Sequence, residues 1–152
     1  MTSVGTPLIM IASDAFDSYQ KATGAVLDQA TGLLTVTSTQ YANLKGISVA
    51  VSGVCILLWV GCWQCGIISF LYSQVTFTLT PDAQIVPRNL NTVINGTTGS
   101  IYLIVSDIGR KSGSGLDFLL GQTFLERFYS VYDTANSRIG LATTCFTTAT
   151  TN

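Results

Sequence analysis

LLGQTFLERFYSVYDTANSRIGLA, residues 119–142, is the stretch on which the fold turns. Leu116 to Leu120 runs into Gly121, and Thr123 to Arg127 then reads as a short helix. Tyr129–Asp133 and Arg138–Ala142 are strand-like and flank Thr134-Ala135-Asn136-Ser137, a polar turn that closes a hairpin. Strand, glycine, short helix and hairpin in quick succession point to a β-rich domain of short elements.

The same texture extends toward the N-terminus. Leu8 to Ile11 suits a buried strand. Ser13 or Asp14 is placed to cap a helix running to about Thr23, with Phe16 and Tyr19 on one face and Gly24 as its stop. Leu33 to Thr37 reads as a strand, Ser38 to Leu44 as one or two helical turns, and Ile101 to Val105 as a strong strand. The loop Gly109 to Gly115 is glycine-rich but lacks P-loop spacing, so it reads as an exposed turn. Asn95-Gly96-Thr97 is an N-glycosylation acceptor, meaningful if the chain passes through the secretory pathway. Six or more short strands with few helices make the expected class mainly β.

One segment is foreign to this pattern. From Lys45 to Asp82 no charge interrupts 36 residues, and 15 of the 21 residues from Val54 to Gln74 are apolar. Ile47, Val49 and Val51 alternate with small polar or neutral residues before the block, and Val75, Phe77 and Leu79 alternate with threonines after it. Joining Gly53 to Val75 would give two alternating strands about a Ser-Gly turn, so the block reads as dropped into a hairpin. A transmembrane segment, a retained in-frame intron and a genuine insertion compete for it, and the intron reading is favoured because a spanning helix would tear the hairpin apart. Three of the four cysteines, Cys55, Cys62 and Cys65, lie in the block; Cys62 and Cys65 have C-x-x-C spacing, but with no histidine and a distant fourth cysteine, Cys145, no metal is expected.

Composition narrows the function. Seven basic and eight acidic residues leave a formal charge of −1, which disfavours nucleic-acid binding. The absence of histidine removes the usual serine and cysteine hydrolase dyads. With 21 Thr and 14 Ser in 152 residues the chain is hydroxyl-rich and β-prone. No leading stretch reads as a signal peptide.

The 119–142 stretch resembles the closing signature of the pepsin-like aspartic proteases: an apolar pair and glycine, a short helix, a strand ending in Asp, a turn containing Asn, and a final Ile-Gly-Leu-Ala strand. Gly5-Thr6-Pro7-Leu8-Ile9 through Asp14-Ala15 is similar to the region after that family's second catalytic motif, and Thr76–Arg88 to its mid-lobe region. The likeness is to secreted fungal members, and covers nearly everything except residues 1–4 and 54–74. It implies a partial domain over residues 1–152, the C-terminal lobe of a bilobal β enzyme, interrupted by the 54–74 block. It also implies an extracellular location, a peptide or protein substrate once a partner lobe is supplied, and no cofactor.

In that family each lobe gives one Asp, and the two carboxylates share a proton because they cannot both ionise so close together. Where the resemblance calls for Asp-Thr-Gly-Thr, this sequence has Ser3-Val4-Gly5-Thr6. Gly5 and Thr6 match, Ser3 stands at the carboxylate position, and no catalytic residue remains there. Leu119, Leu120 and Gly121 are the expected cleft residues on the other side. Structural roles are expected for the other acids: Asp14 and Asp17 in a first helical turn, Asp117 at a strand start, Asp133 at a turn, Glu126 and Arg127 as surface charges. Two rival readings are a non-catalytic peptide-binding module and a protein anchored to a membrane through 54–74.

Overall fold

A computed structural model describes residue 2, residues 5–51 and residues 75–150. The apolar block 54–74 lies outside the described residues, as do Ser3 and Val4.

Among the described residues, ten short strands and three short α-helices make the structure mainly β, the class expected. Strand β1 (Ile9–Ile11) runs between β7 (Val105–Asp107), its parallel neighbour, and β8 (Phe118–Leu120), its antiparallel neighbour. A second sheet has the order β2 (Val26–Leu27), β3 (Leu34–Val36), β6 (Ile101–Tyr102). The interrupted hairpin forms: β4 (Ile47–Val51) pairs antiparallel with β5 (Val75–Leu79), Ile47 opposite Leu79 and Val51 opposite Val75. Alternation sends Phe77 and Leu79 into the core while Thr76 and Thr78 stay exposed. The closing hairpin forms as well, β9 (Phe128–Asp133) against β10 (Arg138–Thr143), with the Asp133 carboxylate accepting from Asn136 N and Nδ2 across the turn.

Two clusters of buried side chains hold these sheets. The larger joins Ile9, Leu79, Tyr102, Ile104, Leu120, Phe124, Phe128 and Leu141. Phe124 is its centre, stacked on Phe128 at 4.6 Å between ring centroids and meeting Phe77 edge-on at 6.1 Å. The smaller unites Ala25, Leu34, Val36, Ile85, Ile101 and Leu103, and is covered by Phe16 and Tyr19. These two side chains come from α1 (Ser13–Thr23), whose end is set by Gly24 at φ +67°. The second helix, α2 (Ser38–Ala42), opens on a capping box between Thr37 and Gln40.

Three expectations are corrected. Residues 101–105 are not one strand: Leu103 N donates to Leu34 O and Ile104 N to Gln84 O, so the chain crosses from the β2–β3–β6 sheet to the β7–β1–β8 sheet within that run. The cap of α1 is Ala12, without a side-chain hydrogen bond, because Ser13 donates to Asp107 and Asp14 is engaged by Ser112. Arg127 is not a surface charge. It is 6% exposed, and its Nη1 donates to Phe146 O at 3.2 Å and Ala149 O at 2.7 Å, which ties the C-terminal turn beneath the short helix α3 (Gln122–Leu125). Glu126 beside it is exposed, as expected.

Candidate active-site scaffold

The segment that leads into β1 is gripped by the segment that leaves β8. Thr2 forms a parallel bridge with Leu120, and four residues later Thr6 O accepts from Gln122 N at 2.9 Å. Both ends of the 2–6 loop are thus bonded to residues 120–122. Thr6 Oγ1 accepts from Leu8 N at 3.2 Å and closes a local turn before β1 begins. Pro7 O accepts twice from Thr123, from its backbone N at 3.3 Å and its hydroxyl at 2.5 Å. The first turn of α3 therefore spends its unpaired amides on the carbonyls of Thr6 and Pro7.

Gly121 makes that grip close. A Cβ at this position would be driven into Leu8 O and stand 2.5 Å from Thr6 O, so only glycine lets the two backbones meet. Leu120 is buried beside it, and Leu119 is half-buried. Gly5 is exposed at the mouth of the loop. Of the residues singled out from sequence, Gly5, Thr6, Leu119, Leu120 and Gly121 are brought together, whereas Ser3 lies outside the described residues and Asn95 lies on another loop. Pro7, Gln122 and Thr123 were missed. A threonine opening a short helix after a glycine was the available signal, but its partner is 116 residues away.

All eight acidic residues of the sequence are described, and none hydrogen-bonds to Thr6, Pro7 or Gly121 among the described residues. Asp14, Asp107 and Asp117 gather at the opposite end of β1, around the exposed 109–117 loop. Asp14 accepts from Ser112 N at 2.9 Å and Ser112 Oγ at 2.5 Å, Asp107 from Gly109 N at 2.8 Å, and Asp117 from Gly113 N at 2.7 Å. Asp28 is bonded to Thr31, and Asp82 accepts the Tyr41 hydroxyl at 2.6 Å. No group of three or more metal-ligating side chains occurs among the described residues.

The Ser112 hydrogen bonds hold the Asp14 carboxyl below its usual range. A depressed folded-state value means the loop anchor is complete above the ordinary carboxylate range and is lost as pH falls through the lowered value. The Ser112 amide is therefore expected to keep its hydrogen-exchange protection into mildly acid solution and lose it at stronger acid. In an Asp14→Asn chain, protection independent of pH is expected over the same range.

An apolar concavity of about 500 Å³ lies away from the loop, on the closing hairpin. The register puts Phe128 and Leu141 on the core side of β9–β10 and Tyr129, Val131, Gly140 and Ala142 on the other. That second face lines the concavity, and Tyr129 is 65% exposed on it. Phe146 is exposed just beyond β10.

Comparisons with known proteins point to one family. The family model described as "Eukaryotic aspartyl protease" matches residues 2–144. Polyporopepsin of Irpex lacteus is 54% identical over 152 residues, which is all of this chain and 38% of that protein. Gastricsin of Suncus murinus is 29% identical over 144 residues, 92% of this chain and 35% of its own length. The crystal structure of an aspartic proteinase from Irpex lacteus superposes with a TM-score of 0.83 at 54% identity, covering 100% of this chain and 38% of that one. The chain thus spans less than two-fifths of the length of these relatives.

Proposed function

The chain belongs to the eukaryotic aspartyl protease family, and from that membership we propose that it is the C-terminal lobe of an extracellular aspartic endopeptidase whose own dyad position is empty of a carboxylate. The observation that carries this reading is the attachment of Thr2 to Leu120 and of Thr6 to Gln122 around Gly121, combined with Ser3 in the sequence between them. In the dyad mechanism two carboxylates hold one proton, and the ionised member draws a proton from water as it attacks the peptide carbonyl. A serine hydroxyl at that place neither carries the negative charge nor shares the proton. The hydrogen bonds of Thr2 and Thr6 to residues 120–122 support a half-site beside Gly5 and Leu119 as the place for extended peptide.

The uncovered Tyr129–Val131 face supports a lobe that packs against further structure in a longer protein. Acid-active proteolysis and a protein substrate belong to that whole assembly. The chain by itself is expected to give no turnover of a denatured protein at acid pH above a blank, with or without pepstatin. Pepstatin-sensitive cleavage by the purified chain overturns the reading.

The membrane alternative rests on 54–74, outside the described residues. Among the described residues no helix is long and apolar enough to cross a membrane.

A further inference from the structure

We propose that Asn95 is an N-linked glycosylation site, a modification independent of the protease scaffold, resting on the extracellular reading above. The Asn95-Gly96-Thr97 triplet supplies the acceptor pattern, and the structure supplies a reason for it to be used. Asn95 sits at φ +57° on a turn between the 3-10 turn Arg88–Leu90 and β6, and both Asn95 and Thr97 are exposed. Asparagine tolerates this left-handed conformation, and among the described residues its side-chain amide has no hydrogen-bond partner.

The backbone under these two side chains is held from below. Gly96 N donates to Asn91 O at 2.7 Å, and Thr97 N donates to the Tyr102 hydroxyl at 2.8 Å. The Nδ2 of Asn91, itself 1% exposed, donates to Thr97 O at 3.1 Å and Ser100 O at 2.8 Å. A Cβ at Gly96 would stand 2.6 Å from the Tyr102 ring, so the middle residue is fixed as glycine by the buried tyrosine. The triplet is a rigid pedestal with its inner side buried and its two reacting side chains in solvent. A glycan there is accommodated without moving any core group. It would also stand beside Val93, 74% exposed, and Leu90, 43% exposed, an apolar edge that a sugar would cover.

In the transfer step the donor is an oligosaccharide on a lipid pyrophosphate. The bond between sugar C1 and the pyrophosphate oxygen breaks, the Asn95 Nδ2–C1 bond forms, the amide gives up one proton, and the lipid pyrophosphate leaves. The Thr97 hydroxyl is the second recognition element of the acceptor. The loop lies on the β2–β3–β6 side, so the modification leaves the grip of Gln122 and Thr123 on Thr6 and Pro7 untouched.

The test is translation of the full chain behind a supplied cleavable signal sequence in the presence of microsomes, scoring only the protease-protected fraction. One discrete mass step removed by peptide N-glycosidase is expected. It should be abolished by Asn95→Gln and by Thr97→Ala, and retained in Thr97→Ser. Thr97 bonds through its backbone in the structure, so its variants leave the loop's hydrogen bonds in place. A protected chain without the mass step, or a step that survives Thr97→Ala, overturns the proposal. Because the signal is supplied, failure of the natural protein to be secreted would strike the location alone and leave the acceptor result standing.

Discussion

Gly121→Ala is expected to abolish the folded state, at a cost of about 4 kcal/mol or more. The added methyl would meet Leu8 O and Thr6 O, both backbone atoms, and neither is able to swing aside as a flexible side chain would. Leu8 leads directly into β1, and Thr6 O is the acceptor for Gln122 N. Relief of the clash therefore requires parting β1 from β8 or unseating α3. Both movements open the larger core beside Leu120. Chemical denaturation followed by circular dichroism checks this, and a midpoint close to that of the unaltered chain would show the close approach to be dispensable.

Phe124→Ala is the second large effect, expected at about 3–5 kcal/mol. Phe124 is fully buried, stacked on Phe128 and edge-on to Phe77, and it comes from the same short helix that clamps Thr6 and Pro7. Removing the ring leaves a void at the junction of β5, α3 and β9. Total stabilities of small domains are about 5–15 kcal/mol, so the loss is a large share of the whole. Phe124→Leu, which refills most of the void, is expected to recover more than half of it in the same denaturation experiment. Equal losses in the two variants would mean that packing at this junction does not set stability.

Most of the fold was legible because it follows from local periodicity. Ile47–Val51 and Val75–Leu79 alternate so regularly that their pairing could be expected across the intervening block, and it forms in that register. The turn at Asp133 and the stop at Gly24 follow from single residues with well-defined backbone preferences. What was not legible depends on partners far away in sequence. Residues 101–105 look like one strand until Leu34 and Gln84 claim successive amides. Arg127 looks exposed until the carbonyls of Phe146 and Ala149 fold under it, and Asp14, in the first helical turn as expected, gains in Ser112 a partner from 98 residues on.

At the candidate site the split is similar. Gly5, Thr6 and Gly121 were found through family resemblance, while the grip of Gln122 and Thr123 on Thr6 and Pro7 is a tertiary fact with no local pattern. The exposed hairpin face is readable only once register is known. Tyr129 and Val131 alternate with Ser130 and Tyr132, and that alternation alone does not say which side the core occupies.

The central claim is that the loop is scaffolded correctly and lacks its carboxylate at position 3. The direct measurement is a hybrid in which this chain replaces the matching 38% of polyporopepsin, assayed at acid pH on a denatured protein with and without pepstatin. The account predicts that the hybrid with Ser3 is inactive and that Ser3→Asp raises turnover by roughly 10²–10⁴-fold, the range a positioned acid or base contributes, with full sensitivity to pepstatin. A Ser3 hybrid as active as its Ser3→Asp counterpart, or a folded Ser3→Asp hybrid with no activity, would contradict it.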